Sequence, residues 1–376
     1  MIFKPKALSM AMVAICSAGS VVAGGADVTL MPTEMMFEKG NYVEVSVAKV
    51  SRDVTGTIVA PSGSMYPDYN VRNLAAKIEL NDKISIGFAD YLSAAIQVDY
   101  RKAGASGSAA GYAAAFVDLN IRSRLLAVKY QVNDNVSILG GLKYSKTSNA
   151  TANVLKNPLG SLTIPSATGS AAALGLAYEK PDIALRVSAL YQSATKFNLP
   201  MTTAGHPQGA VSLVNGKAGL PKSMTIRFQS GIAKDTLVFG SAHRGDWLKS
   251  QVEFDTDVNA AGAFIGLQNK LDARSSFTTT TAYTLGLGRK LSEKYAVSAT
   301  YGWEKGSGAT GSSLLSTTDG KKSLTLGGKY TNGRMTVSAG YSRIRLGSYT
   351  ATTPLGGAVF SNSSANAIGL KLGISL

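Results

Sequence analysis

Ile368-Gly369-Leu370-Lys371-Leu372-Gly373-Ile374-Ser375-Leu376 closes the chain. Ile368, Leu370, Leu372, Ile374 and Leu376 occupy every second position, with glycine, lysine and serine between them. Successive side chains of a strand point to opposite faces, so this stretch has one apolar and one small or polar face. A helix would scatter the same residues around its circumference. An apolar face that runs to the final residue is typical of strands that meet lipid, although a terminal aromatic is commoner there than Leu376.

The same period-two pattern recurs upstream, punctuated by two kinds of break. Asn81-Asp82-Lys83, Asn133-Asp134-Asn135, Glu179-Lys180-Pro181-Asp182, Ala233-Lys234-Asp235, Ser292-Glu293-Lys294 and Thr331-Asn332-Gly333-Arg334 carry tight-turn chemistry. Between them lie longer Gly/Ser/Thr/Pro-rich stretches at 59–69, 101–115, 155–169, 198–220, 257–275, 307–319 and 349–363. Strands are expected near 42–58, 70–80, 83–100, 116–131, 135–154, 170–180, 183–197, 222–233, 236–256, 276–291, 294–306, 320–331, 334–348 and 364–376. Short turns alternate with long loops and both ends of the strand series fall on the short-turn side. That pattern predicts an all-β fold: a transmembrane antiparallel β-barrel of about 14 strands.

Aromatics mark two levels. Tyr130, Tyr295 and Tyr330 sit beside short turns, whereas Tyr144, Tyr191, Trp303 and Tyr341 lie farther along their strands. A tilted strand climbs about 2.5 Å per residue, which separates the two sets by roughly 17–23 Å, near the height of the lipid band. The competing reading is a soluble all-β protein with half-buried tyrosines. It lacks enough long apolar residues to fill a common core.

The N-terminus fits export. Lys4 and Lys6 precede an apolar run, Ala7 to Ala18, that is too short to span a bilayer, and Val21-Val22-Ala23 supplies small residues for cleavage. Residues 1–23 are expected to be a signal peptide, 24–41 a short plug-like segment, and 42–376 the barrel of a Gram-negative outer membrane. The single cysteine, Cys16, lies in the signal peptide, so the mature chain offers neither a disulfide framework nor a thiol nucleophile. The formal charge of +15 falls to +13 without Lys4 and Lys6. In an exported chain that surplus points to outer-membrane lipids and lipopolysaccharide rather than nucleic acid.

Constellations for catalysis are missing. The two histidines, His206 and His243, argue against a multi-histidine metal site, and a Ser–His hydrolase would have to rest on His243 alone. Gly286 and Gly288 form a G-x-G fragment inside a strand, and Gly216-Lys217 lacks the spacing of a phosphate loop. No cofactor is expected. With the long apolar residues facing lipid, strand parity turns Lys129, Lys290 and Lys329 inward near the rim. Lys143, Arg186, Arg227 and Lys371 turn inward at greater depth, with Glu44 as a partner. Such cations are either paired wall residues or neutralise the carboxylate of an anionic amphiphile. Phe239, Ser241, His243 and Trp247 share one face, whose direction parity leaves open; turned inward, Phe239 and Trp247 would give an apolar wall.

Three pieces resemble the FadL-type outer-membrane transporters of long-chain fatty acids and other hydrophobic compounds. They are Pro67-Asp68-Tyr69 with Ile78-Glu79-Leu80-Asn81-Asp82-Lys83, then Leu176 to Val187, then Leu220-Pro221-Lys222-Ser223-Met224 through Phe228-Gln229-Ser230-Gly231 to Trp247. The resemblance implies a passive, ligand-binding channel, for which strand parity offers Lys143, Arg186, Arg227, Phe239 and Trp247 as the candidate ligand-binding residues. It also implies a lateral opening at a kinked third strand, where Gly87 and Ala89-Asp90 stand out. The family's plug of about forty residues, often with Asn-Pro-Ala, has no full counterpart. About eighteen residues separate Gly24 from the first strand, and Met31, Met35, Met36 and Phe37 are left as a short apolar gate. Alternatives are an aromatic hydrocarbon channel, a general diffusion porin for hydrophilic solutes, and a surface adhesin.

Overall fold

The computed structural model describes residues 20–21, 27–58, 60–102, 116–153, 161–204, 214–256, 273–308, 310–311, 313, 315–353 and 356–376. Most of the expected signal peptide, His206 and most of the loop at 101–115 lie outside them. Ser20–Val21 pairs with Asp27–Val28; cleavage after Ala23 would remove that pairing.

Fourteen strands form the wall. They are β1 (Tyr42–Asp53), β2 (Tyr69–Glu79), β3 (Ile84–Asp99), β4 (Phe116–Gln131), β5 (Val136–Thr147), β6 (Thr168–Lys180) and β7 (Leu185–Gln192). The second half comprises β8 (Ser223–Ala233), β9 (Thr236–Gly245), β10 (Thr280–Lys290), β11 (Tyr295–Glu304), β12 (Lys321–Asn332), β13 (Met335–Leu346) and β14 (Ser364–Ser375). Each pairs antiparallel with its chain neighbours, and β14 closes on β1 from Ser364↔Asp53 to Ser375↔Tyr42. Closure leaves no free edge, the condition for a sheet to stand in hydrocarbon where no water can satisfy the backbone.

The faces follow the expected parity. Val187, Leu285, Leu287, Leu370 and Leu372 are exposed on the outside, whereas Lys143, Arg186 and Lys371 turn inward. Tyr295 and Tyr330 contact each other at 5.1 Å beside the short turns, and Tyr283, Trp303 and Tyr301 stack near the other end. The short turns carry their strain where expected: Asp235 and Gly333 adopt positive φ.

Several strands end sooner on the long-loop side than the sequence suggests. The strand expected at 236–256 stops at Gly245, and that expected at 183–197 stops at Gln192. The loops then build their own pairings, Thr195–Ala204 with Val214–Leu220 and Tyr349–Thr353 with Gly356–Phe360. Phe197, Leu199, Met201, Trp247, Phe277 and Phe360 are buried together with residues of β3 and β4. This apolar cap at the long-loop end of the barrel was not foreseen from the loop composition.

Candidate functional site

The wall is interrupted at one place that bears on function. Between β2 and β3 the ladder runs from Glu79↔Ser85 only to Leu74↔Asp90, although β2 continues to Tyr69 and β3 to Asp99. The cause is visible on the other side of β3. Leu92 faces Arg122 and Ala94 faces Ile121, so Ser93 is an extra residue, a bulge that bends the strand. Beyond the bend, Tyr91 to Val98 are all buried, and Ala94 and Ala95 pair with Asp27–Val28 of the N-terminal segment. Side chains bridge the gap. Asn73 Oδ1 accepts from the Leu92 N–H at 3.1 Å, and Arg122 donates to the Arg72 carbonyl at 3.1 Å while pairing with Asp90.

The bend therefore lies beyond the residues singled out in the sequence. Gly87 has another task. A Cβ there would stand 2.8 Å from Met35 Cε and closer still to Met36 Sδ, so the missing side chain makes room for the N-terminal segment. Met31, Met35 and Met36 are buried, clustered with Tyr91, Leu125 and Leu139 of the wall. Phe37 lies under the Arg186 guanidinium at 4.3 Å and near Lys129 Nζ at 5.0 Å, two cation–π contacts. Lys77 donates to the Glu38 carbonyl and pairs with Glu79 at 2.6 Å, tying the segment to the rim of β2.

Arg186 and Arg227 meet as parity predicts, but they hold a carboxylate of the chain itself. Glu34 Oε2 lies 2.6 Å from Arg186 Nη2, and Oε1 lies 3.5 Å from Arg227 Nε. Burial raises the Glu34 carboxyl. The charges of Arg186, Arg227 and Lys371 outweigh that and hold it below the usual carboxylate range. Nothing in the sequence around Glu34 announces this partner, which lies 152 residues from Arg186. Lys371 pairs with Glu44 at 3.1 Å as expected, Lys129 with Glu179 at 3.6 Å, and Lys290 with Glu293 at 2.7 Å. Lys77, on the inward parity of Ala75, is a further buried lysine beyond those expected from the sequence.

Lys143 is different. It is 2% exposed, has Leu125 and Ala171 as cross-strand partners, and forms no ion pair among the described residues. It lines a cavity of about 450 Å³ inside the barrel, within the range of small-molecule sites. Phe239 also lines it. Pairing with the inward Gln229 fixes the orientation that parity left open, and the ring lies on Gly286, where a Cβ would come within 2.7 Å of Phe239 Cε2. Trp247 falls beyond β9, in a single helical turn, 4% exposed and edge-on to Phe277 at 5.4 Å, at the capped end of the same cavity. His243 faces the cavity with Nδ1 2.8 Å from Thr225 Oγ1, while Ser241 bonds Thr284 instead. Asn73, Ala75, Tyr91 and Ser93, on the two sides of the wall gap, line the cavity too. The cavity thus combines an apolar wall, a buried lysine with no ion pair among the described residues, two arginines that share one carboxylate of the chain, and access to the break in the sheet.

No protein-family model and no curated protein sequence matches the chain. Solved structures do. A FadL homologue of Pseudomonas aeruginosa superposes with a TM-score of 0.72 at 12% identity, over 92% of each chain. The toluene transporter TodX of Pseudomonas putida gives 0.65 at 14% identity, and the toluene transporter TbuX of Ralstonia pickettii 0.63 at 12%, each over 92% of both chains. Coverage of both partners nearly end to end assigns this chain the FadL-type barrel fold.

Proposed function

We propose that this FadL-type barrel is a passive outer-membrane channel for hydrophobic or amphipathic small molecules, with long-chain fatty acids as its substrates. The break between β2 and β3 carries the reading. A hydrophilic solute needs a continuous aqueous path, and such a path gains nothing from a hole in the wall that opens towards lipid. A hydrophobic compound needs that hole, because leaving sideways spares it the transfer into water that its apolar surface resists. The apolar cap beneath the loops also argues against a general diffusion porin.

In this mechanism the compound partitions into the cap and passes Trp247 into the cavity, where Phe239 contacts its chain. Lys143 receives a carboxylate, since a buried anion needs a cation to offset its desolvation. Exit runs past Tyr91 and Ser93 through the gap, once the Asn73 and Arg122 bridges part. No energy source is required beyond the concentration gradient.

An aromatic hydrocarbon channel is the second reading, favoured by the similarity to two proteins described as toluene transporters. An uncharged hydrocarbon has no use for the unpaired Lys143. Extraction and mass spectrometry of compounds that copurify with the folded barrel separate the readings. Fatty acids at near-stoichiometric amounts support the first; neutral hydrocarbons alone support the second; neither class, with hydrophilic solute conductance through planar bilayers, would remove both.

A further inference from the structure

Three neighbouring strands carry one layered pattern on the outer face. Going from the short turns towards the loops, β11 shows Tyr295, Val297, Ala299, Tyr301 and Trp303, and the next outward position is Lys305. On β12 the order is Tyr330, Gly328, Leu326, Leu324 and then Lys322; on β13 it is Met335, Val337, Ala339, Tyr341 and then Arg343 and Arg345. On β11 and β13 the apolar residues give way to aromatics and then to cations; on β12 Leu324 is followed directly by Lys322, which lies opposite Trp303 and Arg345, while Arg343 lies opposite Leu324. Lys305, Lys322, Arg343 and Arg345 are all exposed.

Their register is unfavourable for an isolated protein. Lys322 is the direct cross-strand partner of Arg345, and like charges so placed repel. Neither has an ion pair among the described residues. Arg343 is held in place by a neutral group: its Nη1 donates to Asn366 Oδ1 at 2.9 Å, and the same oxygen accepts from the Tyr341 hydroxyl at 2.7 Å. The guanidinium is oriented but its charge is not cancelled. Elsewhere on the outer face Arg122 and Arg124 share Asp90 and Lys49 faces Asp68, whereas the exposed Arg72, Lys146 and Arg244 also form no ion pair among the described residues; what sets this sector apart is the direct Lys322–Arg345 pairing with Arg343 beside it.

We propose that this sector of the outer face binds the phosphorylated glycolipid of the outer leaflet, lipopolysaccharide, through the phosphates of its lipid A. The four cations would balance two phosphate groups, each carrying roughly −1.5 to −2 at neutral pH. Arg343, already oriented, presents a planar fork suited to phosphate oxygens. The acyl chains lie along Leu324, Leu326 and Tyr341, with Trp303 at the boundary between the two. The proposal rests on the barrel's placement in an outer membrane with its long loops outward, but not on what passes through the lumen.

The test measures binding of purified lipid A to the detergent-solubilised, full-length barrel by native mass spectrometry. Dephosphorylated lipid A and phosphatidylcholine serve as the neutral arms. The variant Lys322→Gln/Arg343→Gln/Arg345→Gln removes three exposed charges, and Lys83→Gln at the opposite rim controls for net charge. Wild type and the Lys83 variant should bind lipid A, with little binding of either neutral lipid. The triple variant should bind on the order of 100-fold more weakly, scaling from the attraction of single basic residues to an anionic lipid surface. Its heat-modifiable gel mobility should match wild type, which shows that folding is intact. Its uptake of hydrophobic compounds should also be unchanged, which separates failure here from failure of the channel reading. Equal lipid A binding by wild type and triple variant, equal losses in both variants, or equal binding of dephosphorylated lipid A would overturn the proposal.

Discussion

Replacing Glu34 by alanine should loosen the N-terminal segment and, by the same act, improve the site for an anionic ligand. The carboxylate contributes a charged hydrogen bond at 2.6 Å to Arg186 and a longer ion pair at 3.5 Å to Arg227. A charged hydrogen bond contributes roughly 1.5–3 kcal/mol. The group faces a cavity rather than a dry interior, so screening keeps the value near the lower end, about 1.5–2 kcal/mol. The ratio of docked to undocked segment should therefore fall about 10- to 30-fold. Hydrogen exchange of a peptide spanning residues 29–39, in the solubilised barrel, reads this directly. Oleate should bind more tightly by a similar factor because Arg186 and Arg227 are released, while dodecane should be unaffected. The pH dependence has a defined sign. Glu34 is held below its ordinary value of 4.5, so its contribution is complete above that value and is lost as pH falls through the depressed one. Glu38, raised mainly by burial, works in the opposite direction, and the Glu34 variant isolates the first effect. Unchanged exchange and unchanged oleate affinity in Glu34→Ala would refute the latch.

Lys143→Met should weaken oleate binding about 5- to 150-fold, the equivalent of roughly 1–3 kcal/mol for a charged partner, and leave dodecane binding alone in the same titration. Gly87→Leu should drive Met35 and Met36 from their seat, raising exchange over Met31 to Phe37. Overpacking there costs roughly 1–3 kcal/mol, and unchanged exchange would show that the segment does not depend on this contact. Intact-mass measurement of the outer-membrane form should give a chain beginning near Gly24 and lacking Cys16; a retained Cys16 would contradict the signal-peptide expectation.

Strand number, turn positions and the two faces were legible because lipid outside and a polar lumen inside impose period two on every strand. Leu370 and Leu372 outward with Lys371 inward needed no tertiary information. Strand ends on the loop side were not legible. Thr195–Ala204 alternates like a wall strand, yet it pairs with Val214–Leu220 and buries Phe197, Leu199 and Met201 in the apolar cap instead of extending β7. Pairing across long separations was equally hidden. Parity brought Arg186 and Arg227 inward, yet Glu34 reaches them from a segment with no periodic pattern. The bend of β3 escaped because Ser93 is an ordinary residue made special by register, while the conspicuous Gly87 accommodates Met36.

Lateral exit is the central claim, and deletion of Ser93 addresses it most directly. Without the extra residue, β3 can pair with β4 in unbroken register and extend its ladder with β2 towards Tyr69, sealing the wall without altering any lumen cation. In cells lacking other uptake routes, the deletion variant should fold and reach the membrane in normal amount, still bind oleate, and lose most of its uptake. Wild-type uptake by a correctly folded, sealed barrel would contradict the account.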